Sequence, residues 1–148
     1  MAKNPPKLIA IDHDDYHAEY VGRTKDGRQF FLTTPFLPAH ADQPGCEFVA
    51  LYVFDEAGAL LDVTIESFGP RSTLDHDARI KRRHEMLESL GGKSFNRIKI
   101  APFEVERFGV TFGLIAQQIE DDGEWQVIVE PGNYMCFWAP WTSGIYDT

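Results

Sequence analysis

The chain has 148 residues, a net charge of −9, and 43% hydrophobic and 25% charged residues. That is the size and balance of one globular domain (1–148) with enough apolar mass to build its own core without a metal or disulfide staple. No apolar run approaches the roughly 18 residues of a membrane span, and an acidic field of this size repels nucleic acid.

The charge is unevenly spread. Residues 1–68 hold 5 basic and 11 acidic side chains, a net of −6; residues 69–100 hold 8 and 4, a net of +4; residues 101–148 hold 1 and 8, a net of −7. A basic island therefore sits between two acidic blocks, and the overall acidic field favours a basic protein partner or simple solubility. Residues 1–7 are basic without a following apolar segment, so they read as a short flexible lead-in and not as a signal peptide. Two cysteines without motif spacing, Cys46 and Cys136, together with the missing export signal, point to a reducing, cytoplasmic setting. Spacing alone leaves open whether they are bridged.

Residues 8–15 begin as a short apolar strand and end in an acidic cluster. Tyr16 to Arg23 alternates, Lys25-Asp26-Gly27 supplies a turn, and Gln29 to Thr34 returns as a strand, which together read as a hairpin. Pro35, Pro38, Pro44 and Gly45 mark a loop over 35–46. Glu47 to Asp55 is apolar on both faces and reads as a central strand covered on both sides. After Glu56-Ala57-Gly58, Leu61, Val63 and Ile65 alternate with Asp62, Thr64 and Glu66 in a second hairpin.

Residues 74–90 are the one predicted helix. Ser72, Thr73 or Asp75 caps its start and Gly91-Gly92 stops it. Ile80, Met86, Leu87 and Leu90 form its apolar side, with Arg83 projecting from the middle of that side and His76 and Arg79 flanking it. A short strand over 97–100 follows, then Phe103-Glu104-Val105-Glu106 as a strand or edge. Phe108, Val110, Phe112 and Leu114 alternate with small residues. Asp121-Asp122-Gly123 turns into a strand facing Trp125, Val127 and Val129 one way. The predicted fold is α+β: an antiparallel sheet of about six to eight strands built from hairpins, with one main helix (74–90) packed across it.

Three places hold side chains of chemical interest. In an extended chain, His13, Asp15 and His17 share one face, and two imidazoles and a carboxylate are a donor set for iron or zinc. An Asp-Asp pair, however, favours an exposed turn, so no metal and no cofactor is expected. On the helix, His76, Arg79 and Arg83 either bind an anion, partner or ligand, or are satisfied internally by carboxylates such as Glu66, Glu104 or Glu106. The third place is the C-terminus, where Tyr134, Trp138, Trp141 and Tyr146 cluster. Tryptophan and tyrosine dominate both binding hot spots and cores, and the sequence leaves open which role each ring has.

The chain carries no P-loop, G-x-G-x-x-G, G-x-S-x-G, C-x-x-C or H-E-x-x-H motif, so an enzyme is the weaker reading. The closing Pro-Gly-Asn-Tyr-Met and Ser-Gly-Ile-Tyr-Asp-Thr segments resemble a bacterial family to which no activity attaches. In size and acidity the chain is similar to small bacterial immunity and inhibitor proteins, a likeness carried by no motif. The expected function is a cytoplasmic acidic protein-binding domain that neutralises a basic protein through an acidic face and the C-terminal aromatics. The alternative is an enzyme or small-ligand binder whose pocket lies between Arg79 and Arg83 of the helix and the aromatic end. A third reading is a homo-oligomer in which the C-terminal strand completes a neighbour's sheet.

Overall fold

Side-chain alternation along the strands sets the layers. The computed structural model describes residues 4–120 and 123–148. The start of the lead-in and the Asp121-Asp122 part of the third predicted turn therefore lie outside the described residues. In chain order the elements are β1 (Ile9–Ile11), β2 (Tyr20–Thr24), β3 (Gln29–Thr33), β4 (Phe36–Leu37), β5 (Cys46–Phe54), β6 (Leu60–Ser67), a 3-10 turn (Arg71–Thr73), α1 (His76–Glu88), β7 (Lys93–Phe95), β8 (Ile98–Ile100), β9 (Phe103–Arg107), β10 (Val110–Gln118), β11 (Trp125–Glu130) and β12 (Cys136–Trp138). The fold is α+β, with antiparallel sheets and one helix. The described residues form 12 strands in three sheets, where six to eight in one sheet were expected. The strands without a counterpart in the sequence reading, β4 and β7, have two and three residues, too few to show a period.

β5 is the centre of the large sheet. It pairs with β6 on one side and β3 on the other; β2 and β7 continue beyond β3, and β4 follows the line of β3 along the start of β5. Phe48, Ala50, Tyr52 and Phe54 point to one face and Val49, Leu51 and Val53 to the other, and all are buried. The first face meets the small sheet, ordered β12-β11-β10-β9, through Phe112, Leu114, Val127, Val129 and Phe137, and the β1–β8 pair through its isoleucines. The second face is covered by Met86, Leu87 and Leu90 at the C-terminal end of α1. Helix, large sheet and small sheet thus make three layers around two apolar interfaces. Each fully buried Phe, Ile or Leu there contributes roughly 1.5–3 kcal/mol.

Four local readings change. β6 carries a bulge opposite Val53 and Phe54, so Leu60 packs on the core and Leu61 turns outward, 56% exposed. Phe108 is not a strand residue. With Gly109 it forms the two-residue turn between β9 and β10, at φ 57° and 71°, the left-handed geometry that suits a tight hairpin. Residues 16–19 form a turn and not the start of β2. The helix spans His76–Glu88, capped by Asp75, whose carboxylate accepts from the Ala78 N–H at 3.0 Å.

The predicted apolar side of the helix also shifts, because Ile80 is 51% exposed. The residues that reach the large sheet are 79, 82, 83, 86, 87 and 90, spaced by three and four as one helical stripe. Arginines fill its first half and Met86, Leu87 and Leu90 its second.

Candidate functional site

The helix arginines each reach a carboxylate within the chain, although the buried Nε of Arg83 has no hydrogen-bond partner. Arg79 Nη1 lies 3.3 Å and Arg71 Nη2 3.1 Å from the same oxygen, Oε1 of Glu47, and Glu47 is buried at 5% exposure on β5. Arg82 Nε donates to Glu66 at 3.1 Å. The Arg83 guanidinium sits 4.8 Å over the Tyr20 ring with Glu19 at 3.9 Å. His76 is exposed at the first helical position. Of the predicted carboxylate partners, Glu66 is used, by Arg82, whereas Glu104 and Glu106 belong to the small sheet. Arg79 and Arg83 lie on the helix layer, while Trp138 and Trp141 belong to the opposite side of the large sheet. The predicted pocket between them is not formed, because the sheet itself separates its two walls.

The His13–His17 segment is bent. Asp14 Oδ1 accepts from the N–H groups of Tyr16 (2.9 Å) and Ala18 (3.0 Å), an Asx turn that defeats the extended geometry a shared face requires. His13 stacks on Phe95, Asp15 is exposed, and His17 packs against Tyr16 and Tyr134. Among the described residues no group of three or more His, Cys, Asp or Glu side chains is placed to hold a metal ion.

The same turn receives the C-terminal tail. The Tyr146 hydroxyl donates to Asp14 Oδ2 at 2.6 Å and accepts from the His17 N–H at 3.1 Å. The Ala10 N–H donates to the Trp141 carbonyl (2.9 Å), the Asp12 N–H to Gly144 (3.0 Å), and Cys136 and Asp147 exchange two backbone bonds. Arg97 ties Asp12 (2.6 Å) to the carbonyls of Thr142 and Ser143. The aromatics therefore divide. Tyr134 is buried, its hydroxyl 2.7 Å from the Thr33 hydroxyl, and burial pushes its pKa above the tyrosine range. Trp141 and Tyr146 are half-buried against the core, and Trp138 is 39% exposed.

Trp138 opens onto the outer face of the small sheet. Antiparallel partners share a face, so register defines that surface row by row. Glu104, Gly113 and Glu130 form one row, Ile115, Ile128 and Cys136 the next, and Gln117, Gln126 and Trp138 the third. Glu106 lies beside Thr111 on the same side. Gly113 leaves a gap between its two glutamates; a Cβ there would collide with the Phe103 carbonyl. Burial pushes the Glu130 carboxyl up, opposed by the Asn133 N–H. Among the described residues no cation pairs with Glu104, Glu106 or Glu130. The result is an apolar centre of Ile115, Ile128 and Trp138 with carboxylates along one side. Sequence reasoning singled out Trp138 here for binding and named Glu104 and Glu106 as partners for the helix cations. The alternation of Glu104 and Glu106 with Phe103 and Val105 is the signal that identifies the acidic side. Among the described residues, no helix is long and apolar enough to cross a membrane. No family model matches the chain, and no curated protein or solved structure matches it closely enough to be called similar.

Proposed function

We propose that this chain is a protein-binding module of the immunity or inhibitor kind, which covers a basic surface of a partner with the outer face of its small sheet. The observation that carries this reading is the placement of Glu104, Glu106 and Glu130, without a cation among the described residues, beside Ile115, Ile128 and Trp138. Unpaired carboxylates steer a basic partner into encounter. The exposed indole and the two isoleucines then supply the desolvated contact that holds it. A cytoplasmic location belongs to the same proposal, supported by two free thiols, Cys46 and Cys136.

The test is capture from the native lysate with four tagged proteins: wild type, Glu104→Lys/Glu106→Lys, Trp138→Ala, and Glu88→Lys as a control on the helix layer. Mass spectrometry at low and moderate salt reads the result. The proposal expects one stoichiometric basic protein, retained by wild type and by the control, lost from the other two variants and released by salt. A partner held equally by Glu104→Lys/Glu106→Lys, or indifferent to salt, would overturn it.

A further inference from the structure

We infer that the cleft under the 36–46 loop binds small organic carboxylates that carry an apolar body. The cleft encloses about 190 Å³, with Phe36, Leu37, Pro38 and Pro44 among its walls and Glu47 with Arg71 at its polar end. A second cleft of about 230 Å³ continues past Leu37, Pro38 and Pro44 on the same loop. Each is smaller than the roughly 300–1,000 Å³ of a drug-sized pocket, so the occupant is a fragment with a short alkyl or aryl body.

The walls are held in place before any ligand arrives. The Phe36 N–H donates to the Pro131 carbonyl at 3.3 Å, and its ring stacks on Tyr134 at 6.0 Å. Gly132, at φ 107°, lies so close that a Cβ would press into the Phe36 ring. The prolines fix their own φ angles. A ligand entering this cleft therefore orders little that is not already ordered, and preorganisation of that kind reduces the entropy lost on binding.

The polar end carries an excess of positive charge. Two guanidiniums converge on one oxygen of the buried Glu47, 3.1 and 3.3 Å away. One carboxylate against two arginines leaves a net charge of +1 beside an apolar cleft, in a chain whose total is −9. Arg79 is largely covered at 23% side-chain exposure, whereas Arg71 is open at 72%. Arg71 spends only Nη2 on Glu47 and lies 5.7 Å over the Phe36 ring, at the boundary between charge and apolar wall. A guanidinium so placed has fork geometry left for a second carboxylate. Inorganic anions would meet the charge without the walls, and alcohols the walls without the charge. A carboxylate on a short apolar body uses both.

The experiment is an NMR titration of the full chain with hexanoate, hexanol and acetate, repeated on Arg71→Ala and Arg71→Lys. Hexanoate should move the amides of Leu37, Ala39 and Cys46 and saturate, with hexanol and acetate each weaker by about tenfold, the size of one charge-assisted hydrogen bond. Arg71→Ala should lose about the same factor and Arg71→Lys less, since the charge remains. As a check that needs no variant, hexanoate should slow alkylation of Cys46 by iodoacetamide while leaving Cys136, on the small sheet, unchanged. Hexanoate that fails to saturate, hexanol that binds equally well, or an Arg71→Ala protein with wild-type affinity would overturn the assignment. None of these outcomes touches the small-sheet surface.

Discussion

On the helix layer Arg71, Arg79, Arg82 and Arg83 each reach a carboxylate of the large sheet or of the chain leading into it, namely Glu47, Glu66 or Glu19. On the outer face of the small sheet, Glu104, Glu106 and Glu130 reach no cation among the described residues. Both regions hold a cluster of one charge, and both use regular secondary structure to project it. They differ in where the opposite charge lies. The helix finds its counter-charges within the chain, so its arginines fasten it to the sheet. Among the described residues the carboxylates Glu104, Glu106 and Glu130 stay unneutralised, and such a cluster beside the exposed Trp138 indole is a surface suited to something outside the chain. Clustering by itself therefore says little; neutralisation within the fold separates a structural charge from an available one.

Breaking the Glu47 pair tests the helix side most severely. Glu47→Ala leaves Arg79 part-buried without its carboxylate, and losing one partner of a buried pair costs about 3–5 kcal/mol. Urea denaturation monitored by circular dichroism reads this directly. A loss below about 1 kcal/mol would mean that the helix is held by Met86, Leu87 and Leu90 alone. Glu66→Ala removes a more open pair, with side chains 34% and 45% exposed, so its cost should be only about 0.2–1 kcal/mol. If the two substitutions cost the same, burial is not what separates them.

The opposite substitution sharpens the sheet side. Glu104→Lys/Glu106→Lys touches no internal pair among the described residues, so stability should change by less than about 0.5 kcal/mol, while capture of a basic partner is lost. A large destabilisation would show that these carboxylates have a structural role and belong with the helix side of the comparison.

How much of this was legible depends on how far each contact reaches along the chain. β5 was legible because the run from Phe48 to Phe54, apolar on both faces, describes a covered strand without reference to anything else. The acidic edge of the small sheet was half legible: Glu104 and Glu106 visibly alternate with Phe103 and Val105, but which strands lie beside them does not follow from alternation. The arginine stripe was hidden because apolar periodicity treats a cation as a break. Arg79 faces inward only because Glu47, 32 positions earlier, waits there. The tail was least legible. Whether Tyr146 is free or docked turns on Asp14, 132 positions away, and no local pattern encodes that distance. The wall of the carboxylate cleft has the same character, since Phe36 owes its position to Pro131, Gly132 and Tyr134.

The most local expected effect concerns that docked tail, and its pH dependence has a definite sign. Burial pushes the Asp14 carboxyl up, but the Tyr146 hydroxyl and the N–H groups of Tyr16 and Ala18 outweigh it and hold the pKa below its usual 3.8. A folded-state pKa below the unfolded one means that the docked form binds fewer protons. Its contribution is therefore present above 3.8 and is lost as pH falls through the folded value. Burial lowers His17 from 6.5, against the opposing charge of Asp14, which weakens docking in the same direction on acidification. Tyr146 behaves oppositely. Burial, with the Asp14 hydrogen bond adding to it, pushes its pKa from 10.0 up to about 12, so its contribution is present below 10.0 and fades as pH rises toward about 12. Docking should be flat between 6.5 and 10.0 and loosen on either side. The Ala10 and Asp12 amides, which donate to Trp141 and Gly144, report tail opening by hydrogen exchange, with the core amide of Phe31 as the reference for global unfolding. At neutral pH, Tyr146→Phe should speed their exchange about fivefold, the equivalent of one net hydrogen bond near 1 kcal/mol, and should reduce the acid-side dependence. If the variant leaves exchange of Ala10 and Asp12 unchanged, the tail is held by its backbone bonds and Arg97, and the Tyr146–Asp14 contact is incidental.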